Sequence, residues 1–378
     1  MQKIHKTLCL IVFVLLVLVV CLQGCSSRYY EAALVLADIA AGDQPSRLKR
    51  IVDPPARYEV TYPFQDARGR GDLYRPARQA QAALLLVPGV AEAGKDDPRL
   101  VAFATTLARA GFAVLVPDLP NLRRLQVSAA DAEELAAAFA WLVSDPELAP
   151  EGRAGMAAFS YATGPVLLAA LDDQIRTKVQ FILAVGGYYD LPRVLTFFTT
   201  GYFLHDGQWH YLRPNDYGKW VFVAGNVHRL KSPEDRRIFR DLAERKLADP
   251  SAPVEDLTES LGEEGRALMA FLDNDNPQRA EELLADLPEA LIREVAALNL
   301  ANKDLTNLYA RLILIHGLGD PLIPYVESVD LAAAVAEDRV RLFLVRGLNH
   351  VDMEPGLPDR WRLWRAVTLL LQARDGRF

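Results

Sequence analysis

The chain has 378 residues, 51% hydrophobic and 24% charged, enough for one large core or one domain with a sizeable insertion. A formal net charge of −7 and the lack of any Lys/Arg block argue against nucleic acid as a partner. Its three cysteines, Cys9, Cys21 and Cys25, all lie at the N-terminus, so the remainder can form no disulfide and no cysteine-held metal site.

Lys3, His5 and Lys6 precede an apolar run, Leu8 to Leu22. The run falls short of the roughly 20 residues a membrane span needs. A basic start before a short apolar stretch is the pattern of an export signal. The run closes on "LQGC", Leu22 to Cys25, which resembles the lipobox of bacterial lipoproteins. The resemblance implies removal of a signal peptide, residues 1–24, and acylation of Cys25. An uncleaved anchor helix is the competing reading. Ser26, in place of aspartate, points within that resemblance to outer-membrane sorting. The expectation is therefore an exported protein, lipid-anchored on the periplasmic or cell-surface face of a bacterial membrane.

Residues 25–57 read as a tether and helix. In "YYEAALVLADIAAG", Tyr29, Ala33, Leu36 and Ala40 share a face and Gly42 sits at the C-cap. Pro54-Pro55 marks a linker. From Tyr58, "YEVTY" and "RGRGDLYRP" suggest an edge hairpin. "AALLLVPG", Ala82 to Gly89, is a continuous apolar run of the kind covered on both faces. "DPRLVAFATTLARAG" follows as a helix, with Pro98 in its first turn and Gly111 past its end. "FAVLVPD", "GMAAFS" and "VQFILAVGG" are strands alternating with the helices "AADAEELAAAFAWLV" and "YATGPVLLAALDD". Later come "RLILIHG", a helix around "ESVDLAAAVAE", "VRLFLVRG" and a closing helix. This alternation predicts an α/β fold with a mostly parallel central sheet and helices on both faces.

One stretch breaks the rhythm. Residues 191–305 are far longer than a usual connection and need structure of their own. They begin with an aromatic segment, "LTFFTTGYFLHDGQWHYL", and continue as several acidic helices. Ser232-Pro233-Glu234-Asp235 has the form of a capping box with proline at the first helical position. We expect an inserted helical cap here, between core segments 58–190 and 306–378.

The chemistry centres on "MAAFSYATGP". Ser160 ends a buried strand and starts a helix, the context of a nucleophile elbow. Small side chains are needed two positions to either side, and Ala158 and Ala162 supply them where glycines are usual. A serine hydroxyl needs a general base, and the base needs an orienting carboxylate. "LILIHGLGDPLIP" runs from a strand into a loop carrying Asp320. "LFLVRGLNHVDME" does the same for His350. The C-terminal ends of parallel strands share one edge, so Ser160, Asp320 and His350 should converge there.

With "AFSYA", "HGLGDPLIP" and "GLNH" in that order, the chain resembles the α/β-hydrolase superfamily over about Tyr58 to Asp190 and Leu305 to Phe378. The resemblance implies a serine hydrolase with Ser160 as nucleophile, Asp320 as acid and His350 as base. It also implies an oxyanion hole from the backbone N–H groups of Tyr161 and Val90, with Pro88-Gly89 standing where His-Gly is frequent. Asp190, after the sixth strand, is a rival to Asp320. His316 reads as structural, and Asp118 as a loop-anchoring carboxylate. His205 and His210 either pack the cap or line a substrate pocket.

No H-E-x-x-H, Walker loop or dinucleotide glycine fingerprint is present, so neither metal nor cofactor is implied. The expected function is hydrolysis of an ester or related acyl bond of a small, partly apolar substrate through an acyl-enzyme. A peptidase of the same superfamily, or an inactive tethered binding protein on this scaffold, are the alternatives.

Overall fold

Apolar runs and alternating segments assemble into an eight-stranded sheet of order β1-β2-β4-β3-β5-β6-β9-β10. The computed structural model describes residues 28–126, 128–349, 352–353 and 356–378. Cys25 and His350 lie outside the described residues. β1 (Ala56–Phe64) and β2 (Ala67–Arg75) form the antiparallel edge hairpin, and β2 also runs antiparallel to β4 (Phe112–Pro117). β4, β3 (Ala82–Val87), β5 (Ala154–Phe159), β6 (Phe181–Val185), β9 (Arg311–Gly317) and β10 (Val340–Val345) are mutually parallel. Every residue of β3 and β4 is buried, as a strand covered on both faces requires.

Alternation along the strands divides the core in two. Met156 and Ala158 of β5, with Ile182 and Ala184 of β6, face α5 (Asp131–Ser144) and α6 (Thr163–Ala170). Their neighbours Ala157, Leu183 and Ile313 face α1 (28–41), α3 (Pro98–Arg109) and α15 (Leu357–Arg374). Asp97 caps α3 by accepting the Arg99 N–H at 2.8 Å, and Pro98 occupies its first turn. Short helices α2 (Arg47–Ile51) and α4 (Pro120–Arg123) fill connections, and α14 (Val326–Ala333) links β9 to β10. After β10, β11 (Leu348–Asn349) pairs with β12 (Asp352–Met353).

Between β6 and β9 lie α7 (Leu191–Thr200), the hairpin β7 (Tyr202–His205) and β8 (Gln208–Tyr211), then α8 (Asp216–Asn226), α9 (Pro233–Ala248), α10 (Glu255–Thr258), α11 (Glu263–Leu272), α12 (Ala280–Ala285) and α13 (Glu289–Leu298). The aromatic start of this segment is thus a helix and a hairpin. Only half of the expected capping box forms at α9. Ser232 Oγ accepts the Asp235 N–H at 3.1 Å, but the buried Asp235 carboxylate turns away to accept from Gly262 and Gly265 N–H groups at 2.8 and 3.1 Å. Tying α9 to α11 satisfies more orphan donors than returning to its own cap.

The buried face of α1 also differs from the apolar pattern. Ala33 and Ala40 are exposed, whereas Ala32, Val35 and Asp38 are buried. Asp38 is the reason: its carboxylate accepts from Thr106 of α3 at 2.7 Å and pairs with Lys49 of α2 at 2.9 Å. A polar residue that fixes a helix face is invisible to an apolar count.

Candidate active site

Ser160 follows β5 directly and has a φ of +53°. A non-glycine residue in this region carries strain and belongs to a tight turn. The turn continues as one 3-10 unit, Ser160–Ala162, into α6. Ala158 and Ala162 are fully buried, so their small side chains let strand and helix meet. One turn further on, a Cβ at Gly164 would overlap the Tyr188 hydroxyl. That hydroxyl donates to the Leu298 carbonyl at 3.0 Å, joining the elbow to α13.

Ser160 opens onto a cavity of about 900 Å³. Tyr161, Gly89 and Val90 line it as well. Tyr161 lies in the first turn of a helix, where backbone N–H groups have no intrahelical acceptor. The chain at Gly89 passes close by: a Cβ there would sit 3.9 Å from Ser160 Cβ. The loop after β3 is anchored from below by charge. Buried Asp72 of β2 accepts from Lys95 at 3.0 Å and from Arg57 Nε at 3.0 Å, and Arg57 reaches Asp96 at 2.8 Å.

The loop that carries Asp320 reaches the same cavity, which Pro321, Leu322 and Ile323 line. Asp320 is fully buried, and its Oδ1 accepts the N–H groups of Leu322 and Ile323 at 2.8 and 3.0 Å. His316 braces this loop. Its Nε2–H donates to the Ile323 carbonyl at 2.8 Å, leaving Nδ1 to accept from the Ser328 hydroxyl at 2.6 Å. The same Nε2 is 3.5 Å from Asp320 Oδ2. His316 is thus occupied by these contacts and packs against the Asp320 carboxylate. Leu348 also lines the cavity, and its carbonyl lies where a Cβ at Gly317 would need to be. The chain two residues before His350 thus crosses the end of β9 beside the Asp320 loop.

The other sequence candidates sit elsewhere. Asp190 caps α7, accepting the Arg193 N–H at 3.4 Å, and burial pushes its carboxyl up. Asp118 pairs with Arg123 at 3.3 Å. His210 stacks on Phe203 at 5.6 Å and His205 lies against Tyr325 at 5.6 Å, so both pack the hairpin and neither lines the cavity.

Sequence reasoning passed over Glu327. This buried residue in the first turn of α14 accepts the Tyr189 and Asp190 N–H groups at 3.1 and 2.7 Å, with Arg193 3.5 Å away. It clamps the start of the inserted segment to the core. Nothing in "VESVDLAA" distinguishes it from a surface helix glutamate. Burial outweighs the nearby Arg193 and the two N–H donors and pushes its carboxyl from 4.5 up to about 7. A value raised by folding means stability that is full below about 4.5 and lost as pH rises through about 7. The gap corresponds to roughly 3 kcal/mol. Thermal unfolding followed across that window should show wild type losing stability relative to Glu327→Gln. Parallel curves for the two chains would contradict the assignment.

A scan of protein-family models and a search of curated proteins find no match. Solved structures do. The chain superposes on a provisionally named hydrolase from Legionella pneumophila with a TM-score of 0.53 at 13% identity, over 84% of this chain and 88% of that one. It is also similar to an alpha/beta hydrolase from Penicillium sp. sh18, with a TM-score of 0.49 and 17% identity over 79% of this chain and 92% of the other. The sheet order and the Legionella superposition give the chain the α/β-hydrolase fold. An esterase from Pyrobaculum calidifontis is a further similar structure, with a TM-score of 0.46 and 15% identity over 93% and 92% of the two chains. The superposition on the Legionella hydrolase, at 13% identity, speaks for the fold alone, and the activity of this α/β-hydrolase-fold chain has to be argued from its own cavity.

Proposed function

We propose that the protein is a serine hydrolase that cleaves carboxylic esters through an acyl-enzyme. The observation that carries this is the strained Ser160 lining an apolar cavity shared with the loop of buried Asp320. Ser160 Oγ attacks the ester carbonyl carbon while His350 takes its proton and Asp320 orients the imidazole. The N–H groups of Tyr161 and Val90 hold the oxyanion, each donor contributing about 3 kcal/mol to transition-state binding. Collapse expels the alcohol with the proton from His350. Water, deprotonated by His350, then attacks the acyl carbon and frees Ser160.

The lining favours an ester over a peptide. Among the described residues lining the cavity, the charged ones are Asp97 and Arg99, and these pair with each other at 3.1 Å. Among these described residues a peptide's charged termini would meet only this already paired carboxylate and guanidinium. Steady-state hydrolysis of 4-nitrophenyl butyrate should show saturable, Ser160-dependent turnover. Faster cleavage of short peptide anilides than of that ester would move the activity to the peptidases.

We further propose that the chain is exported and held at a bacterial membrane through lipid on Cys25, on the strength of "LQGC" after a short apolar run. Mass spectrometry of the membrane-extracted protein should show Cys25 as the N-terminus with added acyl mass. A Cys25→Ala chain that stays in the membrane with an intact N-terminus would favour the uncleaved anchor.

A further inference from the structure

The cavity at Ser160 has two arms. One lies under the inserted segment, against Phe198 of α7 and Tyr217, Val221 and Phe222 of α8. The other passes the opposite face of the sheet. Its floor is Leu183, Val185 and Ile315, and its walls are Leu36 and Ile39 of α1, Phe103 of α3, and Leu363, Ala366 and Leu370 of α15. Ordinarily side chains between a sheet and its helices interdigitate and leave few voids larger than water. Here they leave an open space, and its walls offer carbon. Water gains little in such a space because it finds too few polar partners.

Polar contacts tie two walls of the second arm together. Arg374 at the end of α15 is buried and pairs with Glu31 of α1 at 3.1 Å, and Arg28 pairs with Asp375 at 2.9 Å. Trp364 Nε1 donates to the Tyr29 carbonyl at 3.0 Å. Helix α1 is thereby locked against α15 and serves as a fixed wall. Phe159, next to the nucleophile, faces this arm and packs edge-on against Phe103 at 5.4 Å, so the arm begins at the reacting centre.

We propose that the arm between α1, α3 and α15 takes the long hydrocarbon chain of the acyl group, which makes the N-terminal helix part of the specificity pocket and the substrate a long-chain acyl ester. This rests on Ser160 acting as the nucleophile. At about 30 Å³ per water-sized group, a cavity of about 900 Å³ holds on the order of thirty such groups. A chain of about ten or more carbons fits in part of that. Each methylene entering the arm should raise kcat/KM roughly threefold to fourfold until the arm is full.

The test uses 4-nitrophenyl esters of increasing acyl length on the full mature chain. Activity should peak at about ten carbons or beyond. Ala366→Phe and Ile39→Phe, checked for folding by circular dichroism, should each lower the decanoate-to-acetate ratio of kcat/KM at least about tenfold. If Val221→Phe on the α8 side lowers that ratio and the other two do not, the chain lies in the first arm and the proposal is overturned. A second readout needs no catalysis. The Ser160→Ala chain should bind 11-(dansylamino)undecanoic acid with a fluorescence rise that Ala366→Phe abolishes. Binding of this kind without ester cleavage would uphold the pocket and remove the hydrolase reading. Cleavage of short esters with no binding and no gain with chain length would remove the pocket and leave the hydrolase reading intact.

Discussion

Replacing Ser160 by alanine should reduce ester hydrolysis by on the order of 10⁴-fold or more, with folding intact. The size follows from the proposed role: without the hydroxyl no acyl-enzyme would form, and only binding and the oxyanion donors would remain to help water attack. Folding should survive because Ser160 is no part of either buried core and alanine tolerates the turn nearly as well as serine. The strain at φ +53° would persist, since it is set by the β5–α6 connection and not by the hydroxyl. Steady-state kinetics on 4-nitrophenyl butyrate, with circular dichroism alongside, measures both. A variant retaining more than about a tenth of wild-type turnover would place the nucleophile elsewhere.

Asp320→Asn should have the next largest effect. Losing the orienting carboxylate leaves a histidine in the wrong tautomer and typically costs on the order of 10⁴ in turnover. We expect a loss of at least about 10²-fold in kcat, with Asp190→Asn losing less than about threefold. The structure separates the two carboxylates. Asp320 is immobilised at the cavity by Leu322 and Ile323 N–H groups, whereas Asp190 is occupied with the N-terminus of α7. An amide at position 190 can still accept the Arg193 N–H through its oxygen, so the cap survives. The reverse ranking would move the acid to the end of β6.

Much of this was legible in the chain itself. β3, β4 and β6 read as unbroken apolar runs because both their faces are covered, and the parallel order followed from strand-helix alternation. The tight turn at Ser160 was legible because a serine between a strand and a helix, with alanine two positions to either side, is a local pattern. What escaped depends on contacts distant in sequence. Asp38 turns the face of α1 through Thr106, and Glu327 gains its role only when the β6 loop lies over it. Asp235 leaves its own helix cap for Gly262 and Gly265. The second arm of the cavity is a void, and a void is a property of how side chains fail to fill space, which no periodicity records.

The central claim, that Ser160 is an activated nucleophile, is tested most directly by a fluorophosphonate probe read by intact-protein and peptide mass spectrometry. The wild-type chain should gain one adduct, located on Ser160, and Ser160→Ala should gain none. A wild-type chain that stays unlabelled, or one that carries the adduct on another residue, would contradict it.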